Sequence, residues 1–213
     1  ASAKLMGAGR VIAVDTVPSR LQMARQQGAE TIDFNKEDPV ATIDRLTGGI
    51  GPDSAIDAVG VDAYHASSGP AAQQAQQEAA LFQQEVQQIA PQANPQGGNW
   101  VPGNAPSQPS EWAVAALAKA GTLSVIGVYP PNDNFFPFGM AMNKNITIHM
   151  GNCNHRKYIP QLIEYVQSGL IEPASILTEF EALGSAVDAY KAFDTRQPGW
   201  IKVELDPTAV AHA

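Results

Sequence analysis

The chain has 213 residues, with 13 Lys and Arg against 21 Asp and Glu, four histidines and one cysteine, Cys153. A formal charge of -8, with the basic residues scattered, excludes a nucleic-acid surface, which needs clustered Lys and Arg. A single Cys forbids an internal disulfide, no apolar run approaches the roughly 18 residues of a membrane span, and no export signal is recognisable, so a cytoplasmic protein is expected.

The first residues, Ala1 to Met6, read as a helical turn that Gly7-Ala8-Gly9 caps and ends. That glycine pair imitates the opening of a G-x-G-x-x-G phosphate loop. The fingerprint, however, must follow a strand and open a helix, and its third glycine would fall at Ile12. Arg10 to Asp15 is an apolar strand closed by one acidic residue, and Val17-Pro18-Ser19-Arg20 starts the helix that Gly28 stops. Thr31 to Phe34 is a short strand, Val40 to Leu46 a helix broken at Gly48-Gly49, and Ser54 to Gly60 a buried strand ending in glycine. Strand and helix alternating at this tempo imply βαβ units and a parallel, doubly wound sheet of Rossmann type.

The regularity fails from Val61 to about Ser110, an insertion rich in Gln, Ala and Pro. Ala75, Ala79, Phe82, Val86 and Ile89 form a narrow apolar seam, which predicts a helix laid on its own protein. Pro91 to Pro109 holds too many Pro, Gly and Asn for a regular element and is expected to be a long loop. A helix from Trp112 to Gly121 follows, then the strands Thr122 to Val128 and Asn145 to Met150, a helix from Ile159 to Ser168, and a helix from Ser185 to Phe193 between the strands Ile176 to Thr178 and Trp200 to Leu205.

Asp15 carries the first functional expectation. A carboxylate ending the second strand of a dinucleotide-binding sheet accepts hydrogen bonds from the adenosine ribose hydroxyls, about 20 residues after the first glycine of the phosphate loop. Counting back that far passes Ala1, so the first strand and the phosphate loop are expected to lie outside this chain and the natural protein to be longer. With the strand order 3-2-1-4-5-6, that strand would sit between the strand of Asp15 and the strand of Asp57. The chain alone is then expected to be of marginal stability, with unpaired interior edges. The charge of Asp15 would repel a 2'-phosphate, favouring NAD over NADP. Its bland alternative is a helix-capping Asp.

The order and spacing of Arg10 to Arg20, Asp57 to Gly60, Lys119 to Gly127, Asn145 to Tyr158 and Gly199 to Pro207 resemble the zinc-dependent medium-chain alcohol dehydrogenase family, over about its C-terminal half. The insertion after Gly60 and Met150 to Arg156 look like the branch containing glutathione-independent formaldehyde dehydrogenase. The resemblance implies an NAD-dependent oxidoreductase acting on a small alcohol or aldehyde, assembling as a homo-oligomer, with zinc held by residues outside this chain. It divides the chain into an NAD-binding domain over 1–149 and a segment over 150–213 that returns to the catalytic domain, and it makes the chain by itself catalytically inert.

By that resemblance Arg20 lies along the adenosine, and Ala58, Val59 and Gly60 end a strand at the carboxyl edge where such sheets bind ligands. Val59 is then on the adenosine side, and Gly60 keeps the backbone low. Gly127, Val128 and Tyr129 line the nicotinamide, Met150 meets the carboxamide through its backbone, and Lys202 lies near the pyrophosphate. Ordinary strand core, or for Arg20 and Lys202 a solvated surface, is the alternative in each case. Cys153 with His155 is not a metal site without partners, and His65, His149 and His212 show no ligand spacing. Two rival readings stay open. One is an S-adenosylmethionine-dependent methyltransferase, whose second strand also ends in an acidic residue; the other is a non-catalytic nucleotide-binding or interaction module built on the insertion.

Overall fold

The computed structural model describes residues 1–93 and 101–209; residues 94–100 of the expected loop, and His212, lie outside them. The chain divides into two compact units, one of Ala1–Asp33 with Asn154–Ala213 and one of Phe34–Cys153.

In the first unit, helix α1 (Ser2–Leu5) precedes strand β1 (Ile12–Asp15), helix α2 (Pro18–Gln26) and strand β2 (Glu30–Asp33). β1 and β2 pair in parallel from Ile12↔Glu30 to Asp15↔Asp33, which brings two carboxylates to one strand end. Gly7 takes φ +96 after α1 and Gly28 φ +79 after α2, the left-handed backbone expected where these helices stop. The unit is completed by helix α7 (His155–Gln167), a 3-10 turn (Pro173–Ile176), strand β6 (Glu179–Ala182), helix α8 (Ala186–Asp194) and strand β7 (Val203–Asp206), which pairs in parallel with β6.

In the second unit, helix α3 (Pro39–Leu46), strand β3 (Ser54–Asp57), helices α4 (Pro70–Ile89) and α5 (Gln108–Ala116), strand β4 (Thr122–Val125), helix α6 (Phe138–Asn143) and strand β5 (Thr147–Met150) build a parallel sheet of order β3-β4-β5. Val114, Leu117, Leu123 and Ala141 form its core, with Ala55, Phe136 and Ile148 packed against them. Among the described residues β1-β2 and β3-β4-β5 are separate hydrogen-bonded sheets.

The insertion is anchored at its base. Ser67 N–H donates to Asn35 Oδ1 at 2.8 Å, and the Ser68 hydroxyl donates to the Asn35 carbonyl at 2.9 Å. Its outgoing segment lies against its incoming one, with Gly103 N–H on the Val61 carbonyl at 2.9 Å and Ala105 N–H on the Ala63 carbonyl at 3.1 Å. α4 does bury Ala75, Phe82 and Ile89, but the buried stripe also takes in Glu85, while Ala79 is exposed. The irregular stretch described from Val101 ends at Ser107, because Gln108 and Pro109 already form the first turn of α5.

Four expectations are corrected. The helix from Trp112 stops at Ala116 instead of Gly121. Leu117 turns extended, Ala118 N–H donates to the Pro52 carbonyl at 2.9 Å, and Lys144 Nζ donates to the carbonyls of Val114, Ala115 and Leu117 at 3.0, 2.6 and 2.7 Å. Ile176 to Thr178 is not a strand: Pro173 at the first position and a Glu172 carboxylate accepting from Ala174 N–H start a 3-10 turn, and extended pairing begins at Glu179. Helix α7 starts at His155 rather than Ile159, because the Asn154 side chain accepts from Lys157 N–H and caps it there, leaving Pro160 inside the helix. β3 is not buried throughout, since Ile56 is 59% exposed while Asp57 is 3% exposed; successive side chains take opposite faces, and the acidic one faces inward.

Candidate functional site

In the first unit, Asp15 closes β1. One carboxylate oxygen accepts from Thr16 N–H at 2.6 Å and Val17 N–H at 2.9 Å, and the other stands 3.9 Å from Arg20 Nη1. These bonds close the turn before α2, whose N-cap Val17 has no side-chain cap, so Asp15 does not cap the helix; one oxygen serves the turn and the second faces a guanidinium. Asp33, which the sequence reading passed over, ends β2 beside it and accepts from the Thr16 hydroxyl at 3.0 Å. Lys202 is an exposed residue immediately before β7, and its carbonyl accepts from Thr178 N–H and Glu179 N–H.

In the second unit, the ends of β3 and β4 come together. Gly60 and Val128 form a parallel bridge, and Val61 N–H donates to the Val128 carbonyl at 3.1 Å. Both glycines are required by this approach. A Cβ on Gly127 would stand 2.3 Å from Gly60 N, and one on Gly60, whose φ is +67, would stand 2.4 Å from Val128 N. Ala58, Val59 and Val128 are exposed above this floor, and Met150 is exposed at the corresponding end of β5, in register with Val125 of β4. An apolar rim at the carboxyl edge of parallel strands is the place where open α/β sheets take ligands.

Asp57 organises that edge, and sequence reasoning missed it. Its carbonyl accepts from Ile126 N–H and Gly127 N–H, both at 2.9 Å, which ends β4 at Val125. Its Oδ1 accepts from Val59 N–H at 2.9 Å and Gly60 N–H at 3.0 Å, and its Oδ2 accepts from the Tyr129 hydroxyl at 2.5 Å. Burial, and then the Asp57 charge, push the Tyr129 hydroxyl far above the ordinary tyrosine range. Tyr129 thus turns its hydroxyl toward Asp57. The available signal was an acidic residue inside the apolar run Ala55-Ile56-Asp57-Ala58-Val59.

Among the described residues no group of three or more His, Cys, Asp or Glu could hold a metal ion, and no helix is long and apolar enough to cross a membrane. Cys153 is exposed.

Comparison with known proteins shows what the chain is similar to. Residues 1–74 match the profile of a family described as zinc-binding dehydrogenase. Similarity to dehydrogenases extends over nearly the whole chain: it is 31% identical over 205 residues to an uncharacterised zinc-type alcohol dehydrogenase-like protein of Bacillus subtilis, covering 95% of this chain and 47% of that one. It is 34% identical over 211 residues to a glutathione-independent formaldehyde dehydrogenase of Pseudomonas aeruginosa, covering 97% of this chain and 47% of the dehydrogenase. An alcohol dehydrogenase from Thermus sp. ATN1 superposes with a TM-score of 0.67 at 24% identity, over 96% of this chain and 46% of that structure. The sequence resemblance and the α/β dehydrogenase fold are thereby borne out, and the chain spans about half the length of the dehydrogenase relatives it matches.

Proposed function

We propose that this chain is the coenzyme-binding portion of a zinc-type, NAD-dependent alcohol or aldehyde dehydrogenase. The observation that carries the proposal is the pair of parallel-strand ends, Ala58 to Gly60 and Gly127 to Tyr129, held in contact beneath an exposed apolar rim at the carboxyl edge. Asp15 binds the ribose hydroxyls through the oxygen its local turn leaves over, and Arg20 lies along the adenosine. Val59 and Gly60 support the dinucleotide from below. Gly127, Val128 and Tyr129 border the nicotinamide, with the Met150 backbone at the carboxamide and Lys202 at the pyrophosphate.

NAD supplies the hydride acceptor. The residues of this chain hold and orient it, with an acidic group that disfavours a 2'-phosphate. The described residues offer no zinc site, so the proposal places zinc in the part of the relatives that this chain does not match and assigns it no step here. On the same reading residues 1–149 form the NAD domain and 150–213 return to a catalytic domain. The protein is cytoplasmic, takes a small alcohol or aldehyde, and assembles as a homo-oligomer through the edge strand β5.

The test is calorimetric titration of the full-length protein and its Asp15→Asn variant with NAD, NADP and S-adenosylmethionine. Asparagine keeps an oxygen for the Thr16 and Val17 N–H groups while removing the charge, so the turn survives and ribose recognition weakens. A charged acceptor on the diol is worth roughly 1.5–3 kcal/mol, so NAD affinity falls about tenfold or more and NADP discrimination shrinks. Unchanged NAD affinity in the variant, or binding of S-adenosylmethionine in place of NAD, overturns the reading.

A further inference from the structure

We infer that Asp57 and Tyr129 are a positioning pair that sets where the nicotinamide half of the coenzyme lies, an inference that rests on the proposed NAD reading. Five hydrogen bonds converge on Asp57, from the N–H groups of Val59, Gly60, Ile126 and Gly127 and from the Tyr129 hydroxyl. Three of these donors, Val59, Gly60 and Gly127, belong to the floor itself. A fourth, Tyr129, closes the segment that borders the nicotinamide. The carboxylate takes three of the five and the carbonyl takes those of Ile126 and Gly127, so one buried residue, 3% exposed, joins the ends of two neighbouring strands through both side chain and backbone.

The local chemistry explains why tyrosine is needed. Asp57 Oδ1 is taken by two backbone N–H groups, which leaves Oδ2 turned into a buried site where a carboxylate oxygen without a donor is costly. The Tyr129 hydroxyl supplies that donor from a residue beyond the end of β4. Phenylalanine would keep the ring and lose the link. The backbone bonds from Ile126, Gly127 and Val61 N–H would remain, and the segment beyond Val128 that carries Tyr129 would lose its side-chain tie to the floor.

The loop after Tyr129 is held from a second side. Gln88 near the end of α4 donates to the Asn132 carbonyl at 3.0 Å and to Asn134 Oδ1 at 2.9 Å, and Asn132 donates back to the Gln88 carbonyl at 2.6 Å. The insertion thereby braces the segment that presents Tyr129. Neither Asp57 nor Gln88 needs to touch the coenzyme; both act through the floor.

The experiment compares NAD with ADP-ribose, which carries the adenosine and pyrophosphate but no nicotinamide, on the full-length wild-type protein, Tyr129→Phe and Asp57→Asn, by calorimetry with thermal midpoints recorded alongside. Tyr129→Phe is expected to weaken NAD about tenfold and ADP-ribose less than twofold. Asp57→Asn keeps an oxygen for Val59 and Gly60 and a polar partner for Tyr129, and is expected to weaken NAD by no more than about threefold, less than Tyr129→Phe does. Equal weakening of both ligands, or no change in either, overturns the positioning role. Wild-type protein that binds neither ligand overturns the NAD reading itself, so the two failures are distinguishable.

Discussion

Gly60 and Gly127 face each other so closely that a Cβ built on Gly127 would lie 2.3 Å from the Gly60 nitrogen and 2.7 Å from its Cα. Backbone, unlike the tip of a flexible side chain, cannot step aside. Gly127→Ala is therefore expected to destabilise the fold by about 1–3 kcal/mol through overpacking. Gly60→Ala adds the strain of φ +67, roughly 1–2 kcal/mol more. Urea denaturation of both variants tests this, and a loss below 0.5 kcal/mol, the size of an ordinary surface substitution, in either would show that the strand ends are not in contact.

Tyr129 predicts an alkaline limit to stability. Burial first, then the Asp57 charge, raise its hydroxyl above the ordinary value of 10.0, so the folded state resists an ionisation that the unfolded chain undergoes freely. The sign follows from linkage: the contribution is complete below pH 10 and is lost as pH rises beyond it. The stability difference between wild type and Tyr129→Phe should be flat from pH 7 to 9 and shrink above pH 10 by up to about 1.4 kcal/mol per pH unit. A gap that stays constant to pH 11 would contradict the buried hydroxyl.

Glu85 has the same sign at lower pH. It is 1% exposed on α4 and is held by Ser107 N–H at 3.2 Å; burial is the main cause that raises its carboxyl above 4.5, with Asp133 and Glu78 adding to it. A carboxyl raised on folding stabilises most when protonated, below its unfolded value, and that contribution is lost as pH climbs through the folded one. Glu85→Gln keeps the acceptor for Ser107 and removes the buried charge, and should gain roughly 1 kcal/mol at pH 7 while flattening the acid side of a thermal-midpoint profile. A lower midpoint at neutral pH would argue against it.

Lys144 serves as the cap of α5. Its ammonium collects the carbonyls of Val114, Ala115 and Leu117, at the negative end of the helix dipole and beside the core residues Val114 and Leu117. Lys144→Met keeps the stem and loses the donors, at an expected cost of about 2 kcal/mol. Hydrogen exchange should report it locally, with faster exchange at Val114 to Leu117 than in α3.

The alternation of short apolar strands with glycine-stopped helices was legible because it depends on nearest-neighbour chemistry. Gly7, Gly28 and Gly169 take positive φ where their helices end, and the apolar run ending in Asp15 forms β1. Helix α6 was not legible: Phe138-Gly139-Met140-Ala141 carries no capping signal, and it forms where Ala141 packs against Leu117 and Leu123. The end of α5 was missed for a related reason. Its capping group is 27 residues away from Leu117 in the chain.

The sequence by itself determined the parallel α/β class, the carboxylate at the end of β1, the Gln-rich helix of the insertion and the likeness to zinc-type dehydrogenases, all of which live in residue type and local spacing. Only the tertiary structure decided that Asp57 gathers both strand ends, that Tyr129 turns its hydroxyl toward that acid, and that Gln88 braces the loop beyond it. Those links join residues 72 and 44 positions apart, and hydrogen bonds of that kind leave no period in the chain for a sequence pattern to reveal.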